Sequence, residues 1–143
     1  MATFNNAKVA TGVMPRARLG VEAVYATQTL TAALANADVI NFLKIPAGAY
    51  IMNIAIESSD LDTNGTPTLA WTLGDSSAAN KFCAAGSACS IVGRTGGREN
   101  ARSYFSPGPY AADDTLKLTV TTGPATGAAS GLIKVSMLYT MQA

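Results

Sequence analysis

Apolar and polar residues alternate with period two in several short runs of this 143-residue chain. Such alternation marks a strand with one face buried. Leu69, Trp71 and Leu73 alternate with Thr68, Ala70 and Thr72, and Leu116, Leu118 and Val120 with Thr115, Lys117, Thr119 and Thr121. In the closing run Ile133, Val135, Met137, Tyr139 and Met141 face one way, and Lys134, Ser136 and Thr140 the other. Near the start, Leu19 to Gln28 reads as a strand with Leu19, Val21, Ala23 and Tyr25 on one face.

The stretch from Asp38 to Asp75 carries the densest signal. Val39 to Ile45 is a strand apolar on both sides, with Val39, Leu43 and Ile45 opposite Ile40 and Phe42. A strand wet on one face should alternate more cleanly. One side is therefore expected to meet the core and the other a loop or a second subunit. Pro46-Ala47-Gly48 then reverses the chain, since proline fixes φ and glycine accepts a positive φ. After it, Tyr50, Met52, Ile54 and Ile56 share a face opposite Ile51, Asn53, Ala55 and Glu57. The two runs are expected to pair as a hairpin.

Elsewhere the pattern weakens. Thr29 to Ala37 reads as loop or a single turn, because nine residues make a marginal helix. Gly74 to Asn100 is rich in small residues, with a short apolar run at Ser90-Ile91-Val92. Gly93 to Arg102 reads as an exposed loop, and Ser103 to Tyr110 as a short edge strand cut by Pro107 and Pro109. About eight short strands and no long helix predict an all-β fold. We expect a single β-sandwich of jelly-roll type over residues 19–143, preceded by an extended N-terminal arm over residues 1–18.

Composition adds a second theme. Hydrophobic residues make up 48% of the chain and charged residues 13%, about half the usual charged share. A surface so poor in charge is expected to be partly covered in a homo-oligomer. The net charge of +1 leaves no electrostatic footprint for nucleic acid. No run of 18 apolar residues could span a membrane, and the first residues lack the apolar core of a secretory signal. Synthesis in a cytosol is the expectation. Cys83 and Cys89 are close enough to form a small loop disulfide under oxidising conditions, although a reduced pair is favoured in a reducing compartment.

Candidate chemistry is sparse. The chain has no His, so the commonest general base, and the usual partner of a nucleophilic Ser or Cys, is missing. Glu57, Asp60, Asp62, Asp75, Glu99, Asp113 and Asp114 supply carboxylates but form no recognisable catalytic motif, and no enzyme activity or cofactor is expected. Asp60, Asp62 and Asn64 fall in Asp-Leu-Asp-Thr-Asn-Gly, the first half of a calcium loop. The twelfth position, which should hold a bidentate Glu, is Trp71. The loop is thus a weak metal candidate, and an Asx-rich connection between strands is the favoured reading. Arg94, Arg98 and Arg102 could meet an acidic surface, as could Lys8, Arg16 and Arg18 in the arm.

Several segments resemble the head-decoration, or capsid-cement, proteins of tailed bacteriophages. They are Asp38-Val39-Ile40, Lys44-Ile45-Pro46-Ala47-Gly48-Ala49, Ser59-Asp60-Leu61-Asp62-Thr63, Thr66-Pro67-Thr68-Leu69 and Leu73-Gly74-Asp75, followed by Phe82. The likeness covers about a third of the chain. It implies a β-rich protein, commonly trimeric, made in the host cytoplasm. Such a protein binds the major capsid protein on the outside of the expanded capsid and bridges capsomers. Lys8, Arg16, Arg18, Arg94, Arg98 and Arg102 are then the expected capsid or subunit contacts. The alternative is a receptor- or glycan-binding module of a head fibre or tail tip, displaying Tyr104, Phe105 and Tyr110.

Overall fold

The computed structural model describes residues 1–5, 20–101 and 109–141. Among these, eight strands make two four-stranded sheets: β1 Thr3–Asn5, β2 Val21–Leu30, β3 Val39–Ile45, β4 Ala49–Ser58, β5 Ala70–Gly74, β6 Gly97–Ala101, β7 Asp114–Thr122 and β8 Gly131–Met141. One sheet has the order β1-β3-β7-β5 and the other β2-β8-β4-β6. The link between β5 and β6 holds a one-turn helix, α1 (Ala88–Ile91), and a 3-10 turn (Val92–Arg94).

Every connection changes sheet, and the pairing has a simple rule. With β1 set aside, β2 pairs with β8, β3 with β7 and β4 with β6, all antiparallel. The innermost pair is β5 with an isolated bridge, Leu73 to Cys83. A ribbon folded at its middle and rolled once gives this order, so the sandwich is a jelly roll with one strand shortened to a bridge. Thr3–Asn5, within the arm, adds to the edge at β3 in the single parallel pairing among the described residues. Residues 6–19, on which the rest of the expected arm and Leu19 fall, lie outside the described residues.

The inner faces build one core. Ile40, Phe42, Leu43, Ile45, Trp71, Leu73, Leu116, Leu118 and Val120 come from one sheet. Ala26, Leu30, Ile54, Ile56, Ile133, Val135, Met137 and Tyr139 come from the other.

Three expectations about the strands are corrected. The runs around Pro46-Ala47-Gly48 do not form a hairpin, because β3 and β4 belong to different sheets. The turn itself forms as expected, with Gly48 at φ 84° and Ala49 N donating to Pro46 O at 3.1 Å. It acts as a corner between layers, held open by Tyr110, whose O accepts from Gly48 N at 2.7 Å and whose N donates to Ala49 O at 2.9 Å. Second, the apolar residues of β3 do not divide between two faces. Its pairing with β7 slips between Asn41 and Leu43, and this bulge turns Ile40, Phe42, Leu43 and Ile45 all toward the core, as an extra residue reverses side-chain parity. A second slip, between Ile51 and Asn53 in β4, does the same. It keeps Ile54 and Ile56 inside, brings Ile51 against the core and leaves Met52 exposed. Third, much of the Gly93 to Arg102 loop is strand β6, paired with β4 from Gly97 to Ala101.

Cys83 and Cys89 are joined by a disulfide, with Cα atoms 6.1 Å apart, against the expectation of a reduced pair. Both ends are already seated on β5. Cys83 exchanges backbone hydrogen bonds with Leu73 at 3.0 and 3.1 Å, and Cys89 O accepts from Trp71 Nε1 at 2.8 Å. The bridge therefore fixes the segment that replaces the missing strand. Reduction, or Cys83→Ser with Cys89→Ser, is expected to lower unfolding stability by roughly 2 kcal/mol, as for a short closed loop. Urea titrations with and without reductant read this directly, and coincident curves would show that the bridge adds nothing.

Candidate functional site

The carboxylates of the acidic loop turn inward to backbone. Asp62 is 1% exposed. Its Oδ2 accepts from Thr68 N at 2.7 Å, Leu69 N at 3.0 Å and Ala125 N at 3.0 Å, and its Oδ1 from Thr126 N at 3.0 Å. Burial alone would raise its pKa, but the amides of Thr126, Leu69, Ala125 and Thr68 prevail and hold it well below the usual carboxylate range. Asp60 Oδ1 accepts from Asp62 N, and Asn64 Oδ1 from Thr66 N. The three side chains thus serve Asx-type turns and a clamp between two loops. Backbone donors surround the Asp62 oxygens.

A second buried carboxylate, Asp75, closes the other end of β5. It accepts from Lys81 Nζ at 2.6 Å, Tyr110 Oη at 2.6 Å, Ser77 Oγ at 2.7 Å and Ala78 N at 3.1 Å. Burial opposes ionisation here too; Lys81 leads the partners that outweigh it and hold the pKa below the ordinary range. Asp113 Oδ1 accepts from Ala47 N, and Asp114 Oδ1 from Ser76 Oγ. These carboxylates organise loops.

The arginines separate in role. Arg94 is committed within the chain, its Nε donating to Leu69 O at 2.7 Å. Arg98 lies on β6, exposed and opposite Glu57 of β4. Lys8, Arg16, Arg18, Arg102, Tyr104 and Phe105 lie outside the described residues. Tyr110 is half-buried against the core with its hydroxyl on Asp75.

The surface feature that remains is the outer face of the β2-β8-β4 layer. Its strands are 10, 11 and 10 residues long. The register sets Ala23, Leu138 and Asn53 in one row across the sheet, Tyr25, Ser136 and Ala55 in the next, and Thr27, Lys134 and Glu57 in the third. Val21, Tyr25 and Met52 are each 57% exposed, Leu132 49% and Leu138 37%. Charge on these rows is limited to Lys134 and Glu57, which pair at 3.5 Å, and Lys134 also lies 5.1 Å from the centre of the Tyr25 ring. Beyond them an open hollow of about 590 Å³ is bordered by Thr27, Leu132, Lys134, Glu57 and Arg98. The opposite sheet presents Asn41, Lys44, Thr115, Lys117 and Thr119 between its buried positions, a far more polar surface.

Sequence reasoning grouped Val21, Ala23 and Tyr25 correctly, and the structure shows that their shared side points outward while Val24, Ala26 and Leu30 turn to the core. It passed over Leu132 and Leu138. The signal was present: both share parity with Lys134, on the side of β8 left to solvent once Ile133, Val135 and Met137 take the core.

No protein-family model matches the chain, and no curated protein matches its sequence. Solved structures do. A chain of the capsid of Ralstonia phage GP4 is 27% identical, with 99% of each chain covered and a TM-score of 0.85. The fold is shared with phage capsid components. A chain of the cyanophage Pam1 capsid asymmetric unit is 23% identical over 92% of this chain and 96% of its own, at a TM-score of 0.66. A chain of the acidic stable capsid of Helicobacter pylori bacteriophage KHP30 is 13% identical over 84% and 92%, at 0.53; these two bear on the fold alone. The likeness to the GP4 capsid chain supports a virion structural role.

Proposed function

We propose that the protein is a capsid cement: it binds the outside of the mature phage head, contacts the major capsid protein and bridges capsomers as a trimer. The observation that carries this reading is the end-to-end likeness to a chain of a phage capsid at 27% identity. The surface agrees with it. A sandwich with one polar outer face and one apolar, charge-poor outer face has a natural side to be covered. Stabilisation then follows from mass action. A protein that binds the expanded lattice and not its alternatives lowers the free energy of that lattice, and linked contacts within an oligomer multiply the effect. The basic residues Lys8, Arg16, Arg18, Arg98 and Arg102 are assigned to the polar rim of these contacts. Arg94 is a weaker assignment because its guanidinium already serves Leu69. The fibre-tip alternative loses Tyr110 from its aromatic platform, since that ring is packed and its hydroxyl bound.

Purified protein mixed with expanded heads lacking it should sediment with them. Leu138→Lys places a charge in the middle of the apolar face, where it should change stability by no more than about 0.5 kcal/mol yet weaken head binding by at least about tenfold. Equal binding by the variant would move the contact elsewhere on the molecule, and a wild-type protein that stays in the supernatant would sink the proposal.

A further inference from the structure

The strand β1 stands outside the folded ribbon, and its seat is built by residues of the body. Asp38, a buried carboxylate, accepts from Ala2 N through Oδ1 and from Ala35 N through Oδ2, both at 2.9 Å. Val39 N donates to Ala2 O at 2.8 Å, and Asn41 Nδ2 donates to Asn5 Oδ1 at 2.6 Å. Phe4 packs against the rim of the core. The β3 edge is thus a strand acceptor with a backbone ladder, a side-chain clasp and a fixed polar anchor at its start, the elements of recognition by strand addition.

The donor is tied to its own body by the 14 residues of segment 6–19. Fourteen can reach on the order of 45 Å, well past the boundary of a domain this size. A seat on the body edge and a donor joined to the body by enough residues to reach a neighbour are the two parts of strand exchange, a low-cost route to association.

We infer that in the assembled protein the β3 edge of each copy receives Thr3–Asn5 from a neighbouring copy, so that β1 ties copies together. This rests on the assembled state proposed above. An isolated chain fills the same seat from its own tether, and exchange keeps every hydrogen bond while adding a link between copies.

Asn5 and Asn41 side chains touch in the seat, so Asn5→Cys and Asn41→Cys should form a disulfide there under mild oxidation. Mixing the two single variants before assembly is expected to give covalent dimers on a non-reducing gel, with the 5–41 link identified by peptide mass. The double variant should give covalent oligomers. Exclusively intrachain 5–41 links, or none, in a protein whose wild type is oligomeric would overturn the exchange while leaving the cement reading intact. A wild type that is monomeric in solution and on heads would overturn both. Trp71 fluorescence melts matching wild type establish that the variants are folded, and the mixed single variants give the answer even if the double variant is not.

Discussion

Asp62→Ala is expected to be among the most damaging single changes in the protein. The substitution strands the amides of Thr68, Leu69, Ala125 and Thr126, which the carboxylate now satisfies. A buried donor left without a partner costs about 1–3 kcal/mol, so the total should reach at least about 4 kcal/mol, against a typical domain stability of about 5–15 kcal/mol. Asp62→Asn keeps one acceptor oxygen and should fall between. Asp60→Asn is the control: Asp60 is exposed and holds one local amide, so little should change. Guanidinium unfolding followed by Trp71 fluorescence measures all three, and an Asp62→Ala loss under about 1 kcal/mol would contradict the clamp. Millimolar calcium should leave the midpoint where it is; a calcium-dependent rise would restore the loop as a cation site. The same clamp sets a pH dependence. Asp62 and Asp75 both have folded pKa values below their unfolded ones. Their contribution is therefore complete above the unfolded carboxylate range, near pH ~4, and is lost as the pH falls below it.

Trp71→Ala is the second large expectation. Trp71 is the sole tryptophan and is fully buried. Truncating such a side chain typically costs about 3–5 kcal/mol, and here Cys89 O also loses its donor. Phe in its place should recover most of the packing but not that hydrogen bond. The ring occupies the space above Gly93, where an added Cβ would overlap Trp71 Cη2 and Cζ3. Gly93→Ala alone should therefore destabilise by about 1–3 kcal/mol through overpacking. Combined with Trp71→Phe, which withdraws the larger ring, its cost should shrink. Far-ultraviolet circular dichroism during thermal unfolding reads the whole cycle, and strict additivity would contradict the contact.

The strands that follow simple alternation, β5, β7 and β8, were legible because each has one face committed to the core. The strands that carry bulges were legible as strands but not in their facing. Nothing at Phe42 or Met52, neither glycine nor proline, marks a slip that is decided by pairing with β7 and β8. The pairing around Pro46-Gly48 escaped for a related reason: a tight reversal has one local chemistry, whether its flanking strands join one sheet or part into two. Asp62 shows the limit most sharply. An Asp-x-Asp-x-Asn-Gly segment supplies oxygens equally to calcium or to Asx turns, and the amides that Asp62 also meets, Ala125 and Thr126, lie 63 and 64 residues distant. β6 was read as loop from its glycines, arginines and glutamate, and four of its five residues are exposed, as suits the edge of a sheet. The outer apolar face was half visible, in Val21, Ala23 and Tyr25. β3 read as apolar on two sides because its bulge has no local mark, and the exposed apolar face is the one made by β2, β8 and β4.

The central claim is that this sandwich sits on the outside of a phage head. Cryo-electron microscopy of heads assembled with and without the protein, compared as a difference map, tests it most directly. We expect extra density on the outer surface that fits the jelly roll at contacts between capsomers, with the Val21–Leu138 face turned toward a capsid or neighbouring subunit. Identical maps, or density confined to the tail or a fibre tip, would contradict it.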